Sequence, residues 1–287
     1  MHFAEYKTIL SQQNGINLYR GCSHGCIYCD SRSCCYQMTH DFEDIEVKRN
    51  APQMLEAELS RKRKPGMIAT GSMCDPYIHL EEELQIPRQC LELIEKFGFG
   101  LSILTKSSWI LRDLDILQRI NARTKCVVQM TLTTFDEDLC RKLEPNVSTT
   151  FERFKVLETM CDAGIPTVVW LSPILPFIND TEGNLRGILD YCVRAEVRGI
   201  LCFGFGMTLR EGNREYYYRM LDRHFPGLKE RYIRRYGNAY VCTSPNQPRL
   251  MTIFSDECRR HGILCETDAV FDYLSRFETK ERQLALF

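Results

Sequence analysis

Gly15-Ile16-Asn17-Leu18-Tyr19-Arg20-Gly21-Cys22-Ser23-His24-Gly25-Cys26-Ile27-Tyr28-Cys29 is the stretch on which the fold turns. Its first half is a short apolar, strand-like segment closed by a glycine. Its second half sets three cysteines at C-x3-C-x2-C spacing, so that three thiolates can converge on one face of a loop. Three such ligands with no fourth beside them suit a [4Fe–4S] cluster that keeps one iron open, whereas a structural zinc site closes four ligands. His24, Cys34 or Cys35 could supply a fourth ligand, so a zinc knuckle stays open as the alternative, with unligated core cysteines as a third reading.

Outward from this loop, strand-like and helix-like stretches alternate. Apolar runs at 15–20, 67–71, 99–104, 125–132, 167–171 and 199–203 read as strands. Segments 50–62, 84–97, 109–120, 150–161, 182–196 and 216–224 carry apolar residues at helical spacing. Parallel strands need crossovers, so six such units predict an α/β fold with a parallel sheet and outer helices. Six are too few for an eight-fold barrel; the expected form is an open, partial (β/α)6 TIM-like barrel. The alternation stops near Pro226, so residues 1–226 read as the core and 227–287 as a mostly helical C-terminal extension and tail. Ligands in such sheets gather at the carboxyl ends of the strands.

Composition narrows the function. The chain has 287 residues, 44% hydrophobic and 26% charged, with 37 basic and 38 acidic side chains and a formal net charge of −1. Disorder is excluded, and so is a globally basic nucleic-acid binder, although a local basic groove is not. The opening residues, Met1 to Lys7, carry charges where a signal peptide needs an apolar stretch. The longest charge-free run, 163–179, is broken by Pro166, Pro173 and Pro176 and is too short to span a membrane. A cytoplasmic protein is expected, with no membrane association. Its 15 cysteines then stay reduced, and metal binding becomes the first question. The six histidines show no metal-ligand spacing.

The cysteine loop, with Tyr28 before its last cysteine and a β/α series behind it, resembles the radical S-adenosylmethionine (SAM) superfamily. The wider string Asn17 to Cys29 is similar to the spore photoproduct lyase-like branch. So, in order, are Asp75-Pro76-Tyr77, Thr105-Lys106-Ser107, Glu144-Pro145 and Pro173-Ile174-Leu175-Pro176-Phe177-Ile178-Asn179-Asp180. The resemblance implies a [4Fe–4S] cluster ligated by Cys22, Cys26 and Cys29, with SAM on the open iron. It also implies one-electron cleavage of SAM to a 5′-deoxyadenosyl radical that abstracts hydrogen from a substrate. The protein's share is placement and exclusion of water.

Residue by residue, the resemblance implies Tyr28 near the adenine and Thr70-Gly71-Ser72 at the methionine amino group. It sets Lys106 and Ser107 at the carboxylate, and Thr131 and Thr133, two apart on the fourth strand, near the ribose. The bland alternatives are a core aromatic, a strand-ending turn, a solvated lysine and ordinary strand hydroxyls. Lyases of this branch use a cysteine shortly after the second strand as hydrogen donor. Cys74 lies in that region, directly before Asp75 and slightly later than expected; its other reading is a buried free thiol. The implied substrate is a DNA lesion or base, flipped out to meet the radical. A peptide or small-molecule substrate, and a zinc-bound module without catalysis, are the alternatives. An electron donor such as a flavodoxin or ferredoxin is a further expected partner.

The chain ends Gln283-Leu284-Ala285-Leu286-Phe287, which resembles the pentapeptide that docks bacterial repair and replication proteins onto the DNA sliding clamp. One polar anchor and three apolar side chains suit an extended peptide entering a greasy pocket. Basic clusters at Arg61-Lys62-Arg63-Lys64, Arg231 to Arg235 and Arg259-Arg260-His261 either contact DNA or are solvated faces.

Overall fold

The computed structural model describes residues 1–280; the clamp-like tail Gln283–Phe287 lies outside the described residues. Six strands form one parallel sheet in chain order: β1 (Gly15–Ile16), β2 (Met67–Thr70), β3 (Gly100–Thr105), β4 (Cys126–Thr131), β5 (Thr167–Trp170) and β6 (Gly199–Leu201). Between them run α1 (Ala51–Arg61), α2 (Ile86–Lys96), α3 (Leu114–Arg123), α4 (Thr150–Asp162) and α5 (Glu182–Arg194). The α/β reading therefore holds, with each strand feeding a helix that returns the chain to the next strand.

Strand periodicity assigns the two faces. Leu101, Ile103, Cys126, Val128, Met130 and Val169 point outward into the main core beneath the helices. The residues between them point inward and build three layers. At the closed end, Val127, Val168 and Leu201 pack against Val270 and Leu274 of a C-terminal helix, Thr267–Ser275, which the sequence reading did not foresee. Above them is a polar layer. The Trp170 indole donates to Gln129 Oε1 (2.6 Å), and Gln129 Nε2 donates to Ser102 Oγ (2.8 Å). The top layer opens into a cavity at the carboxyl ends of the strands.

Elsewhere the chain departs from simple alternation. The expected strand 15–20 divides after Ile16. Asn17 Oδ1 accepts from Met73 N, and Tyr19–Arg20 joins a separate sheet with Glu46–Lys48 and His2–Ala4. The expected helix 84–97 is interrupted at Gln85, which takes φ +48° between a turn at Glu81–Leu84 and α2. After β6, the strand β7 (Gly206–Thr208) pairs antiparallel with β8 (Val241–Thr243) across the intervening helices α6 (Asn213–His224) and α7 (Leu228–Tyr236). A last long helix, Gln247–His261, packs on α5. Of the residues after 226, Leu264 bridges to Gly199 at the edge of β6 and the helix Thr267–Ser275 packs against β6. No helix among the described residues is long and apolar enough to cross a membrane.

Candidate active site

The cavity at the strand ends is about 730 Å³, within the rough 300–1,000 Å³ range of small-molecule sites. Cys22, Cys26, Tyr28 and Cys29 form one side of it. Gly71 to Asp75 after β2, Leu104 to Lys106 at the end of β3, and Thr131 of β4 form its floor. Trp170, Ser172, Phe203 to Thr208, Val241 and Thr243 form the far wall.

The cysteine loop is held by contacts that its own sequence does not reveal. Gly21, at φ +87°, has no room for a side chain, because a Cβ there would sit 2.4 Å from the Phe42 carbonyl. Ile27 N donates to the Leu143 carbonyl at 3.0 Å, and Asn146 N and Nδ2 donate to the carbonyls of His24 (3.2 Å) and Ser23 (3.0 Å). The Tyr28 hydroxyl donates to Glu144, and Glu144 in turn accepts from Arg153 Nη2. Arg153 spans back to the sheet, donating to the Thr131 carbonyl (3.0 Å) and the Ser148 carbonyl (2.8 Å). Burial opposes ionisation of Glu144, yet Arg153 and Lys106 hold its carboxyl below the ordinary glutamate value. Arg153 sits on the buried face of α4 with Phe154, Val156, Leu157 and Met160. An arginine on an apolar face is the signal by which sequence reasoning could have found it.

A second brace is Asp75. It accepts from Thr105 Oγ1 (2.7 Å), Lys106 N (2.7 Å) and Tyr77 N (2.9 Å), so it ties the end of β2 to the end of β3. His24 Nδ1 lies 3.6 Å from the same carboxylate.

The donor set fits a [4Fe–4S] cluster better than a single zinc ion. One zinc at about 2.3 Å from each sulfur requires the sulfurs within roughly 4 Å of each other. Among the described residues, the one set of three or more ligand atoms all within 4.8 Å of one another is His2, His40 and Asp44, and the cysteine loop is not in it. The three sulfurs face one cavity, and among the described residues no fourth protein ligand converges on them. His24 turns to Asp75, while Cys34 and Cys35 are exposed and do not line the cavity. Cys35 Sγ instead accepts from Arg210 (3.1 Å). Burial pushes the Cys22 thiol up to about 12 and Cys26 well above its ordinary value, so a metal must displace their protons. Lys106 brings a compensating charge. Burial depresses it, but Cys26, Glu144 and Asp75 outweigh that and hold it above the ordinary lysine value. Among the described residues its ammonium has no hydrogen-bond or ion-pair partner, and its side chain lines the cavity.

Of the other expected binding residues, Tyr28, Gly71, Ser72, Lys106 and Thr131 line the cavity together. Gly71 is forced: it takes φ +94°, and a Cβ would fall 1.9 Å from the Leu104 carbonyl. Thr70, Ser107 and Thr133 do not line the cavity. Thr70 has the outward parity of its strand and borders a crevice with Pro87, Cys90 and Leu91 of α2. Ser107 caps the turn Ser108–Asp113, accepting from Trp109 N. The expectation that Thr133 points the same way as Thr131 fails because β4 ends at Thr131. Thr133 is buried in the following loop against Thr134, and its carbonyl accepts from Asn179 and Asn184 (both 2.9 Å). Cys74 lines the cavity, is 5% exposed, and donates its thiol hydrogen to the Tyr19 carbonyl at 2.9 Å. Burial, with Asp75, pushes that thiol up to about 12.

Sequence reasoning missed the far wall contributed by Val241, Thr243 and Gln247. Nothing local marks it, since β8 is a three-residue strand whose partner, β7, lies more than thirty residues earlier. The Pro173–Asp180 motif supports this wall. Ser244 Oγ and Asn246 Nδ2 donate to the Asp180 carboxylate and carbonyl, and Tyr232 donates to the Pro176 carbonyl (2.8 Å).

Comparison with known proteins agrees with this geometry. The uncharacterized protein Rv2578c of Mycobacterium tuberculosis is 29% identical over 232 residues, covering 77% of this chain and 66% of that protein. The chain thus spans about two thirds of the length of that relative. The uncharacterized protein MJ0683 of Methanocaldococcus jannaschii is 32% identical over 169 residues, 58% of this chain and 62% of that one. Among solved structures, spore photoproduct lyase complexed with dinucleoside spore photoproduct matches with a TM-score of 0.62 at 16% identity. That match covers 90% of this chain and 78% of the lyase. A lyase mutant with bound AdoMet and the same dinucleoside matches at 0.57, again 16% identical, over 86% and 74% of the two chains. These likenesses show a shared fold. The family profile described as the radical SAM superfamily matches residues 16–190, more than half of the chain. The chain therefore belongs to the radical SAM superfamily, and with it takes a [4Fe–4S] cluster and SAM.

Proposed function

We propose that the sheet is an open (β/α)6 partial barrel in which this chain carries out radical SAM catalysis on a DNA lesion or base, as a spore photoproduct lyase-like repair enzyme. In this reading Cys22, Cys26 and Cys29 hold the cluster. Lys106 binds the carboxylate of SAM, the backbone at Gly71 and Ser72 meets its amino group, and Tyr28 and Thr131 border its adenosyl part. Ser107 and Thr133 then act through the loops they brace rather than by contact, and Thr70, facing α2, takes no part in binding. When bound, the cluster and SAM supply reductive cleavage of a sulfur–carbon bond and hydrogen-atom abstraction from the substrate.

The observation that carries the substrate reading is the far wall of the same cavity. Phe203 is 54% exposed there, with its ring 5.6 Å from that of Trp170, and Val241 is exposed beside it. An exposed aromatic ring beside the half-buried Trp170 suits a flat apolar group such as a nucleobase. The basic helix α7 ends four residues before β8, and its Arg234 and Arg235 would supply charge for a phosphate backbone, while Arg231 lies over the Phe177 ring. Cys74, kept protonated by burial, is the thiol that would return a hydrogen atom to a substrate radical.

From residues alone we further propose the sliding clamp as partner of Gln283–Phe287 and a flavodoxin or ferredoxin as reductant. A cytoplasmic location agrees with fifteen free cysteines. The test is anaerobic. Reconstituted, reduced protein with SAM is assayed for 5′-deoxyadenosine with and without UV-irradiated DNA, and the lesion is followed in parallel. DNA-dependent product with lesion loss supports the reading. Cleavage indifferent to DNA moves the substrate to a peptide or small molecule. No cleavage by cluster-loaded protein refutes the catalytic reading.

A further inference from the structure

We propose that His2, His40 and Asp44, with Glu46 beside them, form a second metal site, apart from the cysteine loop, that takes one divalent ion of the zinc class.

One ring nitrogen each of His2 and His40 and one carboxylate oxygen of Asp44 lie within 4.8 Å of one another. Glu46 lies outside that set but next to it, with Oε2 3.6 Å from His2 Nε2 and 3.9 Å from His40 Nε2. Two imidazoles and one carboxylate are a donor set that zinc accepts, with its fourth position left to water.

His40 gives the independent sign. Its Nδ1 donates to the Asp41 carbonyl at 3.0 Å, which leaves the lone pair of the neutral ring on Nε2. That Nε2 is buried and accepts no hydrogen bond, yet it faces the Glu46 carboxylate. Two electron-rich atoms turned toward each other away from water repel, and either a proton on Nε2, which makes an imidazolium–carboxylate pair, or a metal cation removes the conflict. A ring nitrogen fixed through a backbone carbonyl on its other side is the usual support of a metal-ligating histidine. Glu46 is supported as well, since Tyr6 donates its hydroxyl to the other carboxylate oxygen. The competing contacts are ordinary ion pairs: His2 Nδ1 to Asp44 Oδ2 at 2.9 Å, and the Met1 amine to Asp44 Oδ1 at 3.1 Å.

The place of the site gives it a consequence. The strand His2–Ala4 pairs with Glu46–Lys48, and segment 40–46 backs the cysteine loop, with Cys22 N donating to the Phe42 carbonyl (3.3 Å). An ion here fastens the first strand to the segment behind the cluster loop. Spacing along the chain could not show it, because His2 and His40 are brought together only by the small sheet.

The test uses the full chain without an affinity tag, its iron–sulfur cluster reconstituted anaerobically, exposed to zinc chloride and then desalted. The expected result is one retained zinc per chain, whose X-ray absorption shows nitrogen and oxygen neighbours at about 2.0–2.1 Å and no sulfur. His2→Ala/His40→Ala and, separately, Asp44→Asn should bind zinc at least tenfold more weakly with iron content unchanged. Sulfur neighbours at about 2.3 Å would place the zinc in the cysteine loop and overturn the proposal. Failure of the wild-type chain to retain zinc, or undiminished binding by the variants, would overturn it equally.

Discussion

The latch from Tyr28 through Glu144 to Arg153 is the point at which the cluster loop can be loosened without touching a ligand. Glu144→Ala removes the carboxylate that accepts from both neighbours and leaves the Arg153 guanidinium, 0% exposed, without its counter-charge. Breaking one side of a buried ion pair costs about 3–5 kcal/mol, most of it the penalty of the stranded charge. Unfolding entropy of about 2.1 cal/mol/K per residue, over 287 residues, gives about 0.6 kcal/mol/K. The melting temperature should therefore fall by about 5–8 °C. Arg153→Leu in the same background removes the stranded charge and should restore at least half of the loss, giving a coupling energy of about 1.5 kcal/mol or more. The assay is thermal and urea unfolding of the four proteins of the cycle, with iron per chain measured after reconstitution. Iron content should drop in Glu144→Ala although Glu144 binds no iron, because the loop between Cys26 and Cys29 has lost its anchor. A loss under about 1 kcal/mol with full iron loading, or strictly additive single and double variants, would refute the latch.

Four further outcomes are expected. Gly71→Ala puts a methyl group 1.9 Å from the Leu104 carbonyl at φ +94°, so the end of β2 must shift; SAM affinity measured by equilibrium dialysis should fall at least tenfold, and unchanged affinity would contradict the cavity floor. Cys26→Ala should abolish the brown colour, the absorbance near 400 nm (roughly, as for Fe–S clusters) and all SAM cleavage, and retained cleavage would refute the ligand set. Glu81 is fully buried with Oε1 unpartnered, and burial pushes its carboxyl up to about 8 against the weaker pull of Arg112. Because the folded value lies above the unfolded one, the wild type should lose stability relative to Glu81→Gln as pH rises from the ordinary glutamate value to about 8, and level off beyond; a pH-independent difference in urea midpoints would contradict this. Deleting Gln283–Phe287 should abolish sliding-clamp binding in a pull-down while SAM cleavage persists, and full-length protein that ignores the clamp would end that proposal.

The parts that residue order determined are those whose physics is local. Six apolar runs separated by helical periodicity pointed to a parallel sheet, and three cysteines within eight residues pointed to one metal loop. Gly71 and Lys106, just after their strands, were placed at the cavity by the rule that strand ends carry ligands. Spacing of two put Thr131 and Thr133 on one side of a strand, and only Thr131 reaches the cavity. The chain leaves the strand at Thr131, and nothing in Leu132-Thr133-Thr134 marks that exit. What only tertiary structure decided are the contacts made across long stretches of chain. Arg153 reaches Glu144 and Thr131 from another element, the three-residue strand β8 finds β7 across two helices, and the helix Thr267–Ser275 closes the inner face beneath Gln129 and Trp170. Each of these depends on charge pairing, edge pairing or shape fit between segments distant in sequence. No residue's own neighbours carry that information, since the free energy of such contacts exists only once the sheet has brought both partners to the same place.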